Sequence, residues 1–109
     1  MANIRKSFDS YKLQYTGSKR DIPLASVSCY NGTTWVGLLE FWADKARVRD
    51  PFIWNDRIVL SYTLDRLSDV VDILRNESPL ELYLNPPGKW GSILTKELED
   101  VGEGEAVGE

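Results

Sequence analysis

The chain contains no histidine, and this absence removes several chemistries at once. Histidine is the usual general base near neutral pH and the commonest metal ligand. The sequence therefore excludes a Ser-His-Asp triad, a Cys-His pair and any histidine-containing zinc site. Phosphate-binding glycine loops are missing as well, because the glycines lie in turn-like segments and in the C-terminal stretch. We therefore expect a protein that is not an enzyme and has no cofactor.

Cysteine and long apolar runs are also scarce. The single cysteine, Cys29, excludes an intrachain disulfide framework and agrees with a reducing compartment. No apolar run approaches the roughly 20 residues that a membrane span needs, and the N-terminal residues lack the apolar stretch of a signal peptide. These features predict a cytoplasmic protein without a membrane partner.

Charge is distributed unevenly along the 109 residues. The chain has 13 Lys and Arg against 17 Asp and Glu, and six of the acids fall in residues 97–109, which contain no base. Residues 1–96 therefore hold 11 acids and carry about +2. The acidic segment is too polar and glycine-rich to bury a core. We predict one domain over residues 1–96 and an acidic, mobile tail over residues 97–109.

Residue patterning predicts an α+β fold. Alternating apolar and polar residues favour strands over residues 8–16, 22–30, 33–42, 58–63, 80–85 and 90–96. Apolar residues at helical spacing favour one helix over residues 64–76, with a buried face of Leu67, Val70, Val71 and Leu74. The predicted order is ββββαββ: a twisted antiparallel sheet of five to six strands, with one helix packed on one face. Residues 43–57 are predicted to form a long loop.

Asn31-Gly32 is the strongest short hairpin signal, because both residues suit the positive φ angles of a type I′ turn. With these two residues as the loop, Tyr30 pairs with Thr33. That register assigns to the core face Ala25, Val27, Cys29, Val36 and Leu38, which predicts a buried, inert Cys29. The opposite face receives Trp35, Leu39 and Phe41. A slip of one residue would exchange the two faces, so these assignments depend on the turn.

Basic and aromatic residues alternate within the predicted loop over residues 43–57. Together with the aromatic sheet face, they predict a surface for single-stranded nucleic acid, on which rings stack on bases and cations meet phosphates. The candidate nucleic-acid-binding residues are Trp35, Phe41, Arg47, Arg49 and Trp54. The alternative is that this face is covered, either by Phe52 and Trp54 of the loop or by another subunit. A domain charge of about +2 is weak for a nucleic-acid binder.

Three acidic residues, Asp65, Asp69 and Asp72, share one face of the predicted helix. Three carboxylates on one face could bind a hard cation such as calcium or magnesium. However, no acidic loop completes a coordination shell, so we interpret them as a solvated helix face and predict no metal site.

Two segments resemble a group of small uncharacterised bacterial proteins. Residues 67–79, LSDVVDILRNESP, resemble a helix of these proteins and the strand that follows it. Residues 99–105, EDVGEGE, resemble their E-x-V-G-E-G-E ending, although residues 106–109 extend beyond it. This resemblance implies no activity and no binding residues.

The order of four strands and a helix is similar to that of the Whirly-type single-stranded-DNA-binding regulators. Proteins of that type pair subunits through their helices and bind DNA on sheet faces. The lysine-rich strand motif of the plant Whirly proteins is absent, so the similarity is one of topology alone.

The apolar strands in a protein with one helix favour a non-enzymatic binding or assembly module that self-associates. We expect a homodimer formed through exposed apolar sheet or helix surface. The alternative function is single-stranded nucleic-acid binding by the aromatic sheet face and the basic loop.

Overall fold

The computed structural model describes residues 3–17 and 22–95, which form an α+β fold rich in strands. The described residues contain eight strands: β1 Ile4–Phe8, β2 Ser10–Tyr15, β3 Ala25–Asn31, β4 Thr34–Trp42, β5 Phe52–Trp54, β6 Arg57–Thr63, β7 Leu80–Asn85 and β8 Trp90–Thr95. Their one α-helix, α1, covers Leu67–Asn76 and follows a 3₁₀ turn over Leu64–Arg66. A second 3₁₀ turn covers Lys45–Arg47. The α+β class and the helix between strands are therefore confirmed.

The strands form two sheets, so the predicted single antiparallel sheet is wrong. One sheet has three antiparallel strands in the order β1-β7-β8, and the other has five in the order β2-β3-β4-β6-β5. Within the larger sheet β4 and β6 run parallel, and the other pairs are antiparallel. Parallel neighbours need a long crossover. Residues 43–56 supply it and also contain β5, which lies at the far edge of the sheet.

Two of the eight strands, β1 and β5, are absent from the sequence prediction. The strand predicted over residues 8–16 is interrupted at Asp9, which separates β1 and β2 into different sheets. The Asp9 carboxylate accepts a hydrogen bond from the Gly32 N–H at 3.1 Å, so the residue at the break also stabilises the β3–β4 turn. The loop predicted over residues 43–57 contains β5, which turns into β6 through Asn55 and Asp56 at φ angles of 47° and 66°.

The β3–β4 hairpin corrects the predicted register. Gly32 and Thr33 form the loop, and Asn31 pairs with Thr34. The pairing is thus shifted by two residues relative to the prediction, which leaves each side chain near the turn on its predicted face. Trp35 therefore still points away from the core. Tyr30 pairs with Trp35, whereas Cys29 pairs with Gly37, so β4 contains a β-bulge in which Val36 is the extra residue. Because one extra residue reverses the alternation, Leu39 and Phe41 turn into the core, and Leu38 turns away from it.

The core lies between the two sheets and is completed by α1. Its buried side chains include Phe8, Val27, Leu39, Phe41, Ile58, Leu60, Leu82 and Leu84. On the helix, Val70 and Leu74 are buried and Leu67 packs against the core at half burial, whereas Val71 is half-buried outside this cluster. The predicted helical face is thus largely confirmed.

The predicted acidic tail over residues 97–109 and the predicted domain boundary lie outside the described residues. Within the described part, no helix has the length and apolar character that crossing a membrane would require.

Candidate binding surfaces

The larger sheet has an outer face, which we define as the side turned away from the three-stranded sheet. Strand alternation assigns to it Tyr30, Trp35, Leu38, Glu40, Trp42, Phe52, Trp54, Arg57 and Val59. The core cluster joins α1 and the three-stranded sheet to the opposite face, yet Glu40, Trp42 and Val59 are buried on the outer face as well. The connection between β4 and β5 reaches part of it, since the Arg49 N–H donates to the Ser61 hydroxyl of β6 at 3.3 Å.

An arginine and two tryptophans form a cluster at one end of the outer face. The guanidinium carbon of Arg57 lies 3.9 Å from the ring centroid of Trp35 and 5.2 Å from that of Trp54. The two rings meet edge to face at 5.5 Å. The cation is held by attraction to both rings, and its buried Nε makes no hydrogen bond within the described residues. Trp54 keeps 43% of its surface exposed, so a ring surface is available for stacking.

A groove of about 280 Å³ continues from this cluster along the outer face. Its apolar lining comes from Leu38, Phe52, Trp54 and Val59, and Glu40 and Arg49 add a charged pair. Glu40 is buried and accepts hydrogen bonds from Arg49 Nε at 3.1 Å and Nη2 at 2.6 Å. This hydrogen bonding raises the pKa of Arg49 above its usual range, so Arg49 stays charged. Because the Glu40 carboxylate compensates the positive charge of Arg49, Arg49 is less available to bind a phosphate.

The structure brings together three of the five predicted nucleic-acid-binding residues: Trp35, Arg49 and Trp54 lie on or beside the outer face. Phe41 does not, because the bulge turns it into the core, where it is 0% exposed and stacks on Tyr62 at 5.4 Å. Arg47 is exposed in the 3₁₀ turn and does not line the groove. The predicted alternative, a face covered by Phe52 and Trp54, agrees in part, since Trp54 lies against the half-buried Trp35 while its own ring stays 43% exposed. Covering by another subunit stays a prediction.

Arg57 ends the predicted basic and aromatic loop over residues 43–57, but it is not among the predicted site residues. The signal that could have selected it is the pair Asn55-Asp56, because both residue types tolerate the positive φ angles of a type I′ hairpin turn. Such a turn makes Trp54 and Arg57 direct cross-strand partners, as they are in the structure.

A second candidate surface is the free edge of β2. The larger sheet begins with β2, and no other described strand pairs with its outward side. Tyr11, Leu13 and Tyr15 lie on the core-facing side of this strand, yet Leu13 is 45% and Tyr15 64% exposed. The unpaired backbone N–H and C=O groups of an edge strand form a template for pairing with another strand, and exposed apolar side chains favour that pairing.

Cys29 is the strongest potential nucleophile by residue type, and its surroundings suppress that reactivity. The side chain is fully buried, as predicted, and burial raises the pKa of its thiol to about 12. The thiol is therefore protonated near neutral pH. Among the described residues, no three Cys, Asp or Glu side chains are grouped closely enough to hold a metal ion.

The chain matches no protein-family model, and no curated protein sequence and no solved structure is significantly similar to it. The resemblances drawn from the sequence therefore stay hypotheses. Function is inferred from the two surfaces themselves.

Proposed function

We propose that the protein is a non-enzymatic assembly module that self-associates as a homodimer through the free edge of β2. The observation that carries this proposal is the exposure of Leu13 and Tyr15 on that edge. Soluble proteins usually protect edge strands with prolines, charges or short length. The opposite edge, β5, has three residues and follows Pro51, whereas β2 has six residues, no proline and one charge, Lys12.

Pairing of two β2 edges would satisfy backbone donors and acceptors and cover apolar side chains on both copies. A net backbone hydrogen bond contributes about 1 kcal/mol, and full burial of a leucine about 1.5–3 kcal/mol. Association opposes these gains by several kcal/mol. An interface one strand wide also belongs to the smallest class. We therefore expect a reversible dimer with a dissociation constant in the micromolar range.

The test is the substitution Leu13→Arg, measured by light scattering from micromolar to millimolar protein. In every register of a β2 pair, this change puts a charge from each copy into the apolar interface, which should raise the dimer dissociation constant at least about tenfold. Because Leu13 is already half exposed, the fold should keep its stability.

Two matched controls identify the edge. Ile53→Arg changes a residue of similar exposure (41%) on the other edge of the same sheet. Thr95→Arg changes an exposed residue on β8, an edge of the three-stranded sheet. Both variants should still dimerise. A wild-type protein that is monomeric throughout the range, or a control that disrupts the dimer as strongly as Leu13→Arg, would refute the proposal.

A second candidate function is binding of single-stranded nucleic acid on the outer face. The specific support is Trp54, which presents an exposed ring beside the Arg57 guanidinium. A base could stack on this ring, and the charge would attract the neighbouring phosphate.

Binding of this kind predicts quenching of tryptophan fluorescence by oligonucleotides, weakened by salt and strengthened by deleting residues 97–109. Trp54→Ala should weaken binding by about 1–3 kcal/mol. Trp90→Ala is the control, because Trp90 is similarly exposed on the other sheet. If the shortened chain binds no oligonucleotide at low salt, this function is wrong.

A further inference from the structure

The hydrogen bonding of β2 to β3 determines which backbone groups of β2 are free. In antiparallel strands, successive residues point their N–H and C=O groups alternately to one side and the other. The Thr16 N–H donates to the Leu24 carbonyl oxygen at 2.7 Å, and Tyr15 pairs with Ala25. Thr16, and every second residue before it, therefore bonds towards β3. It follows that the backbone groups of Tyr11, Leu13 and Tyr15 point to the free edge.

The same three residues carry their side chains on the core-facing side of the sheet. A partner strand thus meets backbone groups and apolar side chains that belong to the same residues. A second copy of β2 presents the same set. In an antiparallel pair of two copies, the free groups meet only when odd-numbered residues lie opposite odd-numbered residues. The two-fold axis then passes through a residue, and only an axis at residue 12, 13 or 14 pairs at least two of these three residues within β2.

We propose that two copies of the chain pair antiparallel through β2 with Leu13 opposite the partner's Leu13. An axis at Lys12 would place it opposite the partner's Lys12, and directly opposed like charges are unfavourable. An axis at Gln14 would leave Tyr11 without a partner inside β2. The axis at Leu13 pairs residues 11–15 completely, with Tyr11 opposite the partner's Tyr15 and Lys12 opposite the partner's Gln14.

This register rests on the proposed function and can be tested separately from it by disulfide trapping. With the axis at Leu13, residue 12 and the partner's residue 14 form a non-hydrogen-bonded pair, whose Cα atoms lie about 4.5 Å apart. That separation permits a disulfide. Full-length chains carrying Lys12→Cys or Gln14→Cys are mixed, one of them mass-tagged, and oxidised gently. Native Cys29 is buried and gives little background.

The mixture of Lys12→Cys and Gln14→Cys chains should give about fivefold more cross-linked dimer than the cysteine variants that report an axis at Lys12 or at Gln14. Gln14→Cys alone reports the axis at Gln14, and a mixture of Ser10→Cys with Gln14→Cys reports the axis at Lys12 with that lysine intact. Adding Leu13→Arg should abolish the cross-link.

Each other outcome overturns a distinct statement. Predominant cross-linking in either competing arrangement overturns the register and leaves the β2 dimer in place. A dimer by light scattering that cross-links in no arrangement overturns both the register and the use of the β2 edge. A protein that is monomeric at millimolar concentration overturns self-association itself.

Discussion

Gly37 lies on β4 where Leu82 of the other sheet reaches its backbone. A Cβ atom at this position would lie 2.0 Å from Leu82 Cδ1 and 3.2 Å from the Ile58 carbonyl oxygen. Gly37→Ala should therefore lower the free energy of unfolding by about 1–3 kcal/mol, because a side chain or a strand must move to make room. Urea denaturation measures the change. Gly17→Ala is the control, since nothing lies within 4 Å of that Cβ.

Leu82 itself is 0% exposed at the centre of the core. Leu82→Ala should destabilise the fold by about 2–5 kcal/mol through loss of buried surface and formation of a cavity. The same substitution removes the atom that an alanine at residue 37 would meet. The double variant should thus be clearly less destabilised than the sum of the single changes. Simple additivity would mean that the two residues do not meet as described.

Two buried ionisable groups predict how stability changes at alkaline pH. Burial raises the pKa of Cys29 from 9.0 to about 12 and that of Tyr62 from 10.0 to about 12. Both groups ionise earlier in the unfolded chain. The stability they contribute is therefore complete below pH 9 and is lost between about pH 9 and 12, by at most about 1.4 kcal/mol per pH unit per group.

Chemical denaturation at successive pH values tests this dependence. Cys29→Ala should remove the part of the decline that begins near pH 9, and Tyr62→Phe the part that begins near pH 10. A free energy of unfolding that stays constant up to pH 11 in the unchanged protein would contradict the expectation.

At the scale of elements, the connection between β4 and β5 is fastened to the outer face by Arg49. Arg49→Ala would leave the buried Glu40 carboxylate with its hydrogen bond from Trp42 Nε1 at 3.3 Å and without the two from arginine. We expect a loss of about 1–3 kcal/mol in thermal or urea unfolding, because a buried charge loses its compensation.

Adding Glu40→Gln to Arg49→Ala should recover part of that loss, and Lys45→Ala, an exposed neighbour in the same connection, should have little effect. These variants also distinguish two roles for Arg49. A structural role predicts the recovery, whereas a role confined to nucleic-acid binding predicts no change in stability.

The sequence predicted individual elements better than their arrangement. The helix and most strands follow from local periodicity, which depends on each side chain's own position along the chain. The apolar positions change from even at Phe8 to odd from Tyr11 onwards, which marks a break near Asp9. Local alternation still could not show that the strands on either side of this break join different sheets. The bulge before Gly37 was equally hidden, since an extra residue leaves the local apolar pattern intact and changes only the pairing.

The candidate site divides along the same line. Trp35 lies before the bulge and keeps its predicted face. Trp54, which was predicted in a long loop, lies on β5 beside a local turn and also reaches the outer face. Phe41 lies beyond the bulge and moved to the core. Arg49 and Glu40 are close in sequence, yet their pairing could be recognised only from the three-dimensional path of the connection between β4 and β5. The β2 edge became visible only once the order of strands was known.

At the scale of the whole molecule, the position of β2 at one edge decides what a dimer would present. A two-fold axis perpendicular to the sheet would join the two copies into one sheet of ten strands and keep both outer faces on the same side. Each Trp54 cluster lies near the far edge, four strand spacings from β2. The two clusters would then be roughly 40 Å apart.

With this spacing, pairing through the β2 edge would determine whether one ligand can bind both Trp54 clusters at once. A chain-like ligand that reaches both clusters gains from the effective concentration created by its first contact, and one that is too short gains nothing. Long oligonucleotides would then bind more tightly than short ones of the same composition. Leu13→Arg would remove that length dependence although it lies at the opposite edge from Trp54. Valency, rather than the affinity of either face, would be the property that β2 controls.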